Sequence, residues 1–199
     1  MQDKKRRIMQ AAERLFKARQ FQEITLEEVA RRADVAKGTL YLYFANKEDL
    51  FFQTAVAGFD EMCDLLKRRA AADLGPRGEL MHASKTISEF FERRRPLFRM
   101  IVAEGERVQG RGGRLWRQWL QRREKLTEAL AQVIRHGSAS GALRGDVPAE
   151  VLAEYLLGML RTRARELKSR PAAWRREETL VDLFLSGVVS RPSDTDGKV

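Results

Sequence analysis

Two short amphipathic segments near the N-terminus constrain the fold of this chain more than any other feature. Thr25, followed three residues later by Glu28, forms a capping box, which predicts that a helix begins there. Apolar residues then recur at helical spacing as far as Ala33, and a second short helix is indicated from Lys37 to Phe44. Two helices of about two turns each, separated by a tight turn, are typical of a helix-turn-helix.

The second helix of this pair is predicted to have an inward and an outward face. Leu40 and Phe44 fall on one side, where we expect them to pack into a core. The residues expected on the opposite side are Lys37, Thr39, Leu42 and Tyr43. Hydroxyls and amines are groups that donate to phosphate oxygens, so this outward face has the chemistry of a nucleic-acid contact.

Two further helices are predicted on either side of this pair. Residues 4–18 begin with a basic run and then place apolar residues at helical spacing, which indicates an amphipathic first helix. Asn46, with Asp49 three positions later, predicts the start of a fourth helix. We expect that helix to continue through Phe59 as far as Leu66.

The composition favours a soluble helical chain and suggests an anionic partner. Of the 199 residues, 43% are hydrophobic, 33% are charged and only 5 are proline, which favours helix over strand. The net charge of +10 makes a polyanion the first partner to consider, although the basic excess is spread along the chain. The single cysteine, Cys63, excludes an internal disulfide and a zinc site built on cysteines. Because we find neither an apolar leader nor a membrane span, we expect a cytoplasmic protein.

A longer motif runs through the first fifty residues. Its most specific part is Gly38-Thr39-Leu40-Tyr41-x-Tyr43-Phe44-x-x-Lys47-Glu48-x-Leu50, preceded at the right distances by Ala11-Ala12-x-x-Leu15-Phe16 and Thr25-x-x-x-Val29-Ala30. In these positions the stretch from residue 8 to residue 50 resembles the DNA-binding head of the TetR family of transcriptional regulators. The resemblance implies an all-α fold. A three-helix helix-turn-helix head, residues 1–46, would be joined to a larger helical-bundle body, residues 47–199, for ligand binding and dimerisation.

The resemblance also implies which side chains meet DNA. In such heads the third helix enters the major groove, and neighbouring hydroxyls and amines hold the phosphates. The matching positions are Thr25, Lys37, Thr39, Tyr41, Leu42, Tyr43 and Lys47. Among them Lys37 and Leu42 are our candidates for reading bases, since lysine can donate to guanine and an apolar tip can contact a thymine methyl.

Four positions depart from the family pattern. Ala36 replaces a serine that often caps the recognition helix, so one phosphate contact is expected to be missing. Leu42 replaces a frequent aromatic residue, which leaves the contact at that position open. Gln20 and Asp34 replace common turn glycines, and a left-handed conformation is easier for aspartate than for glutamine.

The last two predicted helices carry more apolar surface than one chain can bury. Residues 149–168 are apolar around most of the helix, and residues 172–190 carry a second apolar face. Such a pair can form half of a four-helix bundle in a homodimer, which is also how TetR-type proteins dimerise. The predicted interface residues are Leu152, Tyr155, Leu156, Leu180, Phe184 and Gly187. A two-fold dimer would place two recognition helices a whole number of DNA turns apart, which suits a palindromic operator.

The resemblance further implies a small-molecule site among the middle helices. The candidate residues, which are aromatic or pliable, are Met62, Phe90, Phe98, Trp116, Trp119 and Met159. Singly, each of them suits core packing better, and we expect two or three to line a cavity. Nearby arginines could receive an anionic ligand such as an acyl-coenzyme A, but a solvated charged surface is the simpler interpretation. They are Arg93–Arg95, Arg107, Arg111, Arg114, Arg117, Arg122 and Arg123.

These features predict a DNA-binding transcriptional regulator, most simply a repressor whose operator affinity falls when a small, largely apolar effector binds the body. Two alternatives stay open. One is an activator or a regulator without an effector, and the other is a helical binding or scaffold protein with an architectural helix-turn-helix. We expect no enzyme, cofactor, metal site or membrane partner, since His82 and His136 match no metal-ligand pattern and no nucleophile is paired with a base.

Overall fold

Helices make up nearly all the regular structure of the computed structural model, which describes residues 2–69, 74–99, 101 and 114–189. They are α1 (Gln2–Ala18), α2 (Leu26–Arg32), α3 (Lys37–Tyr41), α4 (Lys47–Ala55), α5 (Phe59–Arg69), α6 (Gly75–Arg93), α7 (Arg114–Ala139), α8 (Ala149–Arg165) and α9 (Glu177–Val188). Residues 95–99 are also helical, and 3₁₀ turns lie at Phe21–Glu23, Leu167–Ser169 and Ala172–Arg175. Within the described ranges the chain forms no β-strand, only an isolated bridge between Leu143 and Val189. The predicted all-α fold is confirmed.

The chain divides into two compact units. The first comprises Met1–Phe59 and Phe91–Gln121, and the second comprises Asp60–Phe90 and Arg122–Val199. The predicted boundary at residue 46 lies within the first unit, because α4 packs against α1. The first unit therefore extends beyond the predicted head.

An aromatic cluster holds α1 and α4 together in the first unit. The ring of Phe16 on α1 meets that of Phe51 on α4 edge to face, with 5.1 Å between their centroids. Phe21, in the 3₁₀ turn after α1, lies 5.8 Å from the first ring and 5.3 Å from the second. Burying a phenylalanine side chain contributes roughly 1.5–3 kcal/mol, so this cluster makes α1 a firm support for α2, which packs on it.

The fourth helix is shorter than the sequence predicted. α4 ends at Ala55 and α5 begins at Phe59, so the expectation of one helix continuing to Leu66 is wrong. The reason is Gly58, whose φ of 75° is a left-handed conformation that an α-helix cannot contain. Because buried apolar residues continue on both sides of this turn, the hydrophobic spacing gave no sign of the break.

Polar side chains join three helices of the second unit. Arg163 on α8 pairs with Glu177 on α9 at 2.7 Å. Ser88 on α6 completes the cluster, since its hydroxyl accepts from Arg163 at 2.7 Å and donates to Glu177 at 3.0 Å. The half-buried Arg163 and Glu177, joined through Ser88, fix the relative register of the three helices.

α7 continues past Gly137, where the sequence predicted its end. A Cβ atom at Gly137 would come within 2.6 Å of the side chain of Leu143, so the glycine serves contact with the following turn. α7 continues to Ala139, and Gly141, with φ of 76°, makes the turn instead.

Two structural features are not found in the described part of the chain. None of its helices is long and apolar enough to cross a membrane. No three of its His, Cys, Asp and Glu side chains are grouped so that they could hold a metal ion.

Candidate nucleic-acid interface

The start of α2 forms one edge of the candidate interface. Thr25 precedes the helix in an extended conformation, and its hydroxyl accepts a hydrogen bond from the backbone N–H of Glu28 at 3.2 Å. The predicted cap is therefore confirmed. Thr25 is exposed, and it donates its one hydroxyl proton to the carboxylate of Glu27, so a phosphate oxygen would receive this bond in place of Glu27.

A tight turn at Asp34 leads from α2 to α3. Asp34 has a φ of 52°, so it holds the left-handed conformation expected of it, whereas Gln20 is extended with a φ of −68°. Arg7 of α1 stabilises the turn by donating to the carbonyl oxygen of Asp34 at 3.0 Å and to its carboxylate at 2.8 Å. Ala36 then precedes α3 without a side-chain cap, as its identity predicted.

The inward face predicted for the segment from Lys37 to Phe44 is confirmed, whereas only two of the four residues predicted to face outward, Lys37 and Leu42, are exposed. Leu40 and Phe44 have relative exposures of 0% and 1%, which places them in the core. On the opposite side Tyr41 is 47% exposed and Leu42 is 82% exposed. A five-residue helix that buries one side and exposes these residues on the other presents them to a partner outside the chain.

Lys37, at the start of α3, forms an ion pair with Glu27 in the first turn of α2. Its ammonium also lies 6.0 Å from the ring centroid of Tyr41. The hydrogen bond from Lys37 is the main cause that lowers the pKa of Glu27, and Glu27 raises the pKa of Lys37 in turn. Both side chains are more than half exposed, so the pair lies within reach of a ligand in solution. No role for Glu27 was predicted from the sequence.

The other two predicted contacts on this part of the chain are less exposed. Thr39 and Tyr43 are both half-buried. The ring of Tyr43 is tilted against that of Phe44, with 6.4 Å between the centroids. These contacts fix the position of the tyrosine ring while part of the side chain stays accessible.

Lys47 lies at the start of α4, where its ammonium is held inside the head. It donates to the carbonyl oxygens of Phe21 at 2.9 Å and of Ile24 at 3.0 Å. It also lies over the ring of Phe21, 4.4 Å from the centroid. Since an ammonium has three donors, one remains for a phosphate oxygen. We call these two hydrogen bonds the tether of Lys47; no spacing rule predicts it, because the partners lie more than twenty residues away in the sequence.

The candidate interface therefore joins hydroxyls, amines and one large apolar side chain on neighbouring turns. Hydroxyls and amines donate to phosphate oxygens and set the register of a protein on the duplex. The sequence profile of the bacterial regulatory proteins of the tetR family matches residues 8–54, which include every one of these groups. Residues 8–54 therefore form a DNA-binding head of the TetR type.

Named relatives resemble the chain either over its head alone or over nearly its whole length. YhgD of Bacillus subtilis, an uncharacterized HTH-type transcriptional regulator, is 38% identical over 60 residues. That match spans 30% of this chain and only 31% of the relative. AcnR of Corynebacterium diphtheriae, an HTH-type transcriptional repressor, is 20% identical over 193 residues, which is 97% of this chain and 84% of that protein.

The TetR-type fold extends beyond the head. The crystal structure of the transcriptional regulator FadR from Bacillus subtilis, in complex with stearoyl-CoA, matches with a TM-score of 0.72 at 17% sequence identity. The match covers 91% of this chain and 97% of FadR. At this level of identity the likeness concerns the fold alone.

The two units of the chain divide the residues that were predicted to line an effector site. Phe98, Trp116 and Trp119 belong to the first unit, whereas Met62, Phe90 and Met159 belong to the second. In the first unit Phe98 and Trp119 are buried and lie 5.0 Å apart, and Phe91 lies 4.7 Å from the first and 5.9 Å from the second. These rings pack against one another, and the effector site stays a prediction.

An open groove of about 600 Å³ lies along α8 and α9, the helices predicted to form the dimer interface. Of the predicted residues, Tyr155 and Gly187 are exposed, whereas Leu152, Leu156, Leu180 and Phe184 are largely buried within the chain itself. Three other apolar residues that line the groove are exposed and were not in the predicted set: Val151, Trp174 and Leu183. The spacing of Leu183 three residues after Leu180 could have identified it, but Trp174 lies in a connecting turn without periodicity.

Two of the arginines that were considered for an anionic ligand form ion pairs within the chain. Arg122 pairs with Asp60, and Arg123 pairs with Glu154. The bond from Arg122 is the main cause that lowers the pKa of Asp60. Arg107, Arg111 and the side chain of Arg114 lie outside the described residues. For Arg122 and Arg123 the interpretation as a charged surface is therefore the simpler one.

Proposed function

We propose that this protein is a homodimeric transcriptional repressor of the TetR family that binds a palindromic operator and releases it when a small, largely apolar effector binds its body. The observation that carries the proposal is the outward face of α3. Lys37 and Tyr41 on α3 and Leu42 directly after it are exposed, while Leu40 and Phe44 anchor this segment in the core. AcnR, which the chain matches over most of its length, is named a repressor.

The groups on this face divide between holding the DNA and reading it. Five groups would contact phosphates and set the register of the protein on the duplex. They are the hydroxyls of Thr25, Thr39, Tyr41 and Tyr43 and the remaining donor of Lys47. Lys37 and Leu42 would reach the base edges, with guanine and a thymine methyl as their respective partners. Loss of one such base contact costs about 1–3 kcal/mol of discrimination at a single position.

Selection of bound sequences from a random DNA pool, with the full-length protein, tests this reading. We expect a palindrome with half-sites a whole number of helical turns apart. The variant Leu42→Ala should lose its preference at one position of each half-site and keep the others. Enrichment of no sequence at physiological salt would support an architectural helix-turn-helix instead.

The exposed part of the groove along α8 and α9 is the proposed dimer surface. Tyr155 and Leu183 are 66% and 65% exposed, and Gly158 and Gly187 have open space where a side chain would stand. A second copy laid against this face by two-fold symmetry would cover these residues and could approach closely at the glycines. We therefore expect Leu183→Glu to sediment with the mass of one chain. Leu74→Glu, which adds the same charge at an exposed leucine that does not line the groove, should leave the mass of the dimer unchanged.

The effector is proposed to act by reciprocal coupling with DNA. FadR is described in complex with stearoyl-CoA, which supports an apolar ligand for a body of this fold. With a coupling of roughly 1–3 kcal/mol, an effector would weaken operator binding by about 5- to 150-fold. Stearoyl-CoA and stearate are suitable first probes, and their binding can be followed by tryptophan fluorescence in a Trp174→Phe variant, which leaves Trp116 and Trp119 as the emitting residues. Ligand binding that leaves operator affinity unchanged would favour a regulator without an effector.

A further inference from the structure

The ion pair between Glu27 and Lys37 places a carboxylate in the middle of the candidate DNA interface. Glu27 lies in the first turn of α2 and Lys37 at the start of α3, so the pair spans the turn of the helix-turn-helix. Thr25, a proposed phosphate contact, also donates to Glu27 and helps to lower its pKa, after the larger contribution of Lys37. One acidic side chain therefore contacts two of the groups proposed to meet DNA.

A carboxylate in this position has two physical consequences for DNA binding. It neutralises the charge of Lys37, and sequence-independent affinity depends on the number of cations that replace counterions on phosphates. It also fixes the direction of the ammonium, which retains two donors for acceptors such as O6 and N7 of guanine. A long flexible lysine that is already oriented loses less conformational entropy when it forms those bonds.

We propose that Glu27 is a specificity-determining residue, which positions Lys37 for base contact and at the same time weakens binding to DNA of unrelated sequence. This inference rests on the proposed function. Lys37 without Glu27 would be a free cation able to bind any nearby phosphate. With Glu27 it binds well only where a base offers acceptors in the direction that the carboxylate leaves open.

Glu27→Gln tests the proposal because it removes the charge and keeps the shape of an exposed side chain. We expect affinity for scrambled DNA to rise about two- to five-fold, the range of an exposed ion pair, while affinity for the selected operator does not rise. The salt dependence of binding to scrambled DNA should steepen by about 0.9, the increment for one additional phosphate contact. Glu48→Gln is the matched control, since Glu48 is exposed in the first turn of α4 and has no ion pair with the described residues.

A double-mutant cycle with Lys37→Met separates positioning from simple charge. If Glu27 acts through Lys37, Glu27→Gln has no effect on the ratio of operator to scrambled affinity in the Lys37→Met background. An equal rise in affinity for both DNAs, or an effect that persists without Lys37, would overturn the inference and leave the proposed function intact. A wild-type protein that binds operator and scrambled DNA equally would overturn the proposed function as well. Circular dichroism and urea denaturation of each variant confirm that the head is folded.

Discussion

Replacing Lys47 by methionine separates two roles for this residue. Methionine retains an apolar side chain of similar length, so the change removes the ammonium with its two hydrogen bonds and its contact with Phe21. A hydrogen bond from a charged group contributes about 1.5–3 kcal/mol, and we take about half of that for each bond because Lys47 is only partly buried. The cation–π contact adds about 0.5–1 kcal/mol. We therefore expect Lys47→Met to lower the free energy of unfolding by about 2–4 kcal/mol.

Urea denaturation measures the contribution of Lys47 to stability, and the salt dependence of DNA binding measures its contact with a phosphate. Lys17→Met is a suitable control, since the ammonium of Lys17 makes a single partly exposed ion pair with Glu13 at 2.8 Å and should cost at most about 1 kcal/mol. If Lys47 acts through the tether, its replacement destabilises the head well beyond the control. If the third donor of Lys47 binds a phosphate, the slope of log affinity for DNA against log salt concentration should be shallower by about 0.9 in the Lys47→Met variant. A Lys47→Met protein as stable as Lys17→Met would refute the tether, whatever happens to its DNA binding.

Two further predictions concern the second unit. Ser84 on α6 is fully buried and its hydroxyl has no hydrogen-bond partner among the described residues, so Ser84→Ala should stabilise the protein by about 1 kcal/mol in urea denaturation. Ser88→Ala, by contrast, should destabilise the protein, since the hydroxyl of Ser88 bonds to Arg163 and Glu177. A loss of stability in both variants would contradict the distinction between an unpartnered and a partnered hydroxyl. Burial, with a smaller contribution from Asp60, raises the pKa of Cys63 to about 11. At pH 8 the native thiol should therefore react with a disulfide reagent about a hundred times more slowly than free cysteine, and rapid reaction of the folded protein would contradict this.

Local signals made the head predictable from its sequence. The hydroxyl of Thr25 bonds to a backbone N–H three residues ahead, and the side chain of Asn46 does the same to Asp49 at 2.8 Å. Such caps depend only on residues within one turn, so the sequence contains all the information that determines them. The inward face of α3 was predictable for the same reason, because Leu40 and Phe44 are separated by one helical turn.

The features that were not predicted depend on contacts between distant parts of the chain. The ammonium of Lys47 meets carbonyl oxygens 23 and 26 residues away, and no spacing rule connects them. Helical periodicity cannot tell an apolar residue that its own chain covers, such as Leu156, from one that it leaves exposed, such as Leu183. The break at Gly58 was missed because apolar residues continue across it.

The helices that carry the DNA-binding residues are too short to be stable alone. α2 has 7 residues and α3 has 5, whereas isolated helices need roughly 12–15 residues to persist in water. Their geometry must therefore come from packing of their buried faces and from two sets of bonds, those of Arg7 to the turn at Asp34 and those of Lys47 to the carbonyls before Thr25. Both basic side chains act on backbone next to the interface. A variant that loosens either bond should consequently broaden the set of DNA sequences bound before it unfolds the head, because base readout depends on the direction of α3 more than on its presence.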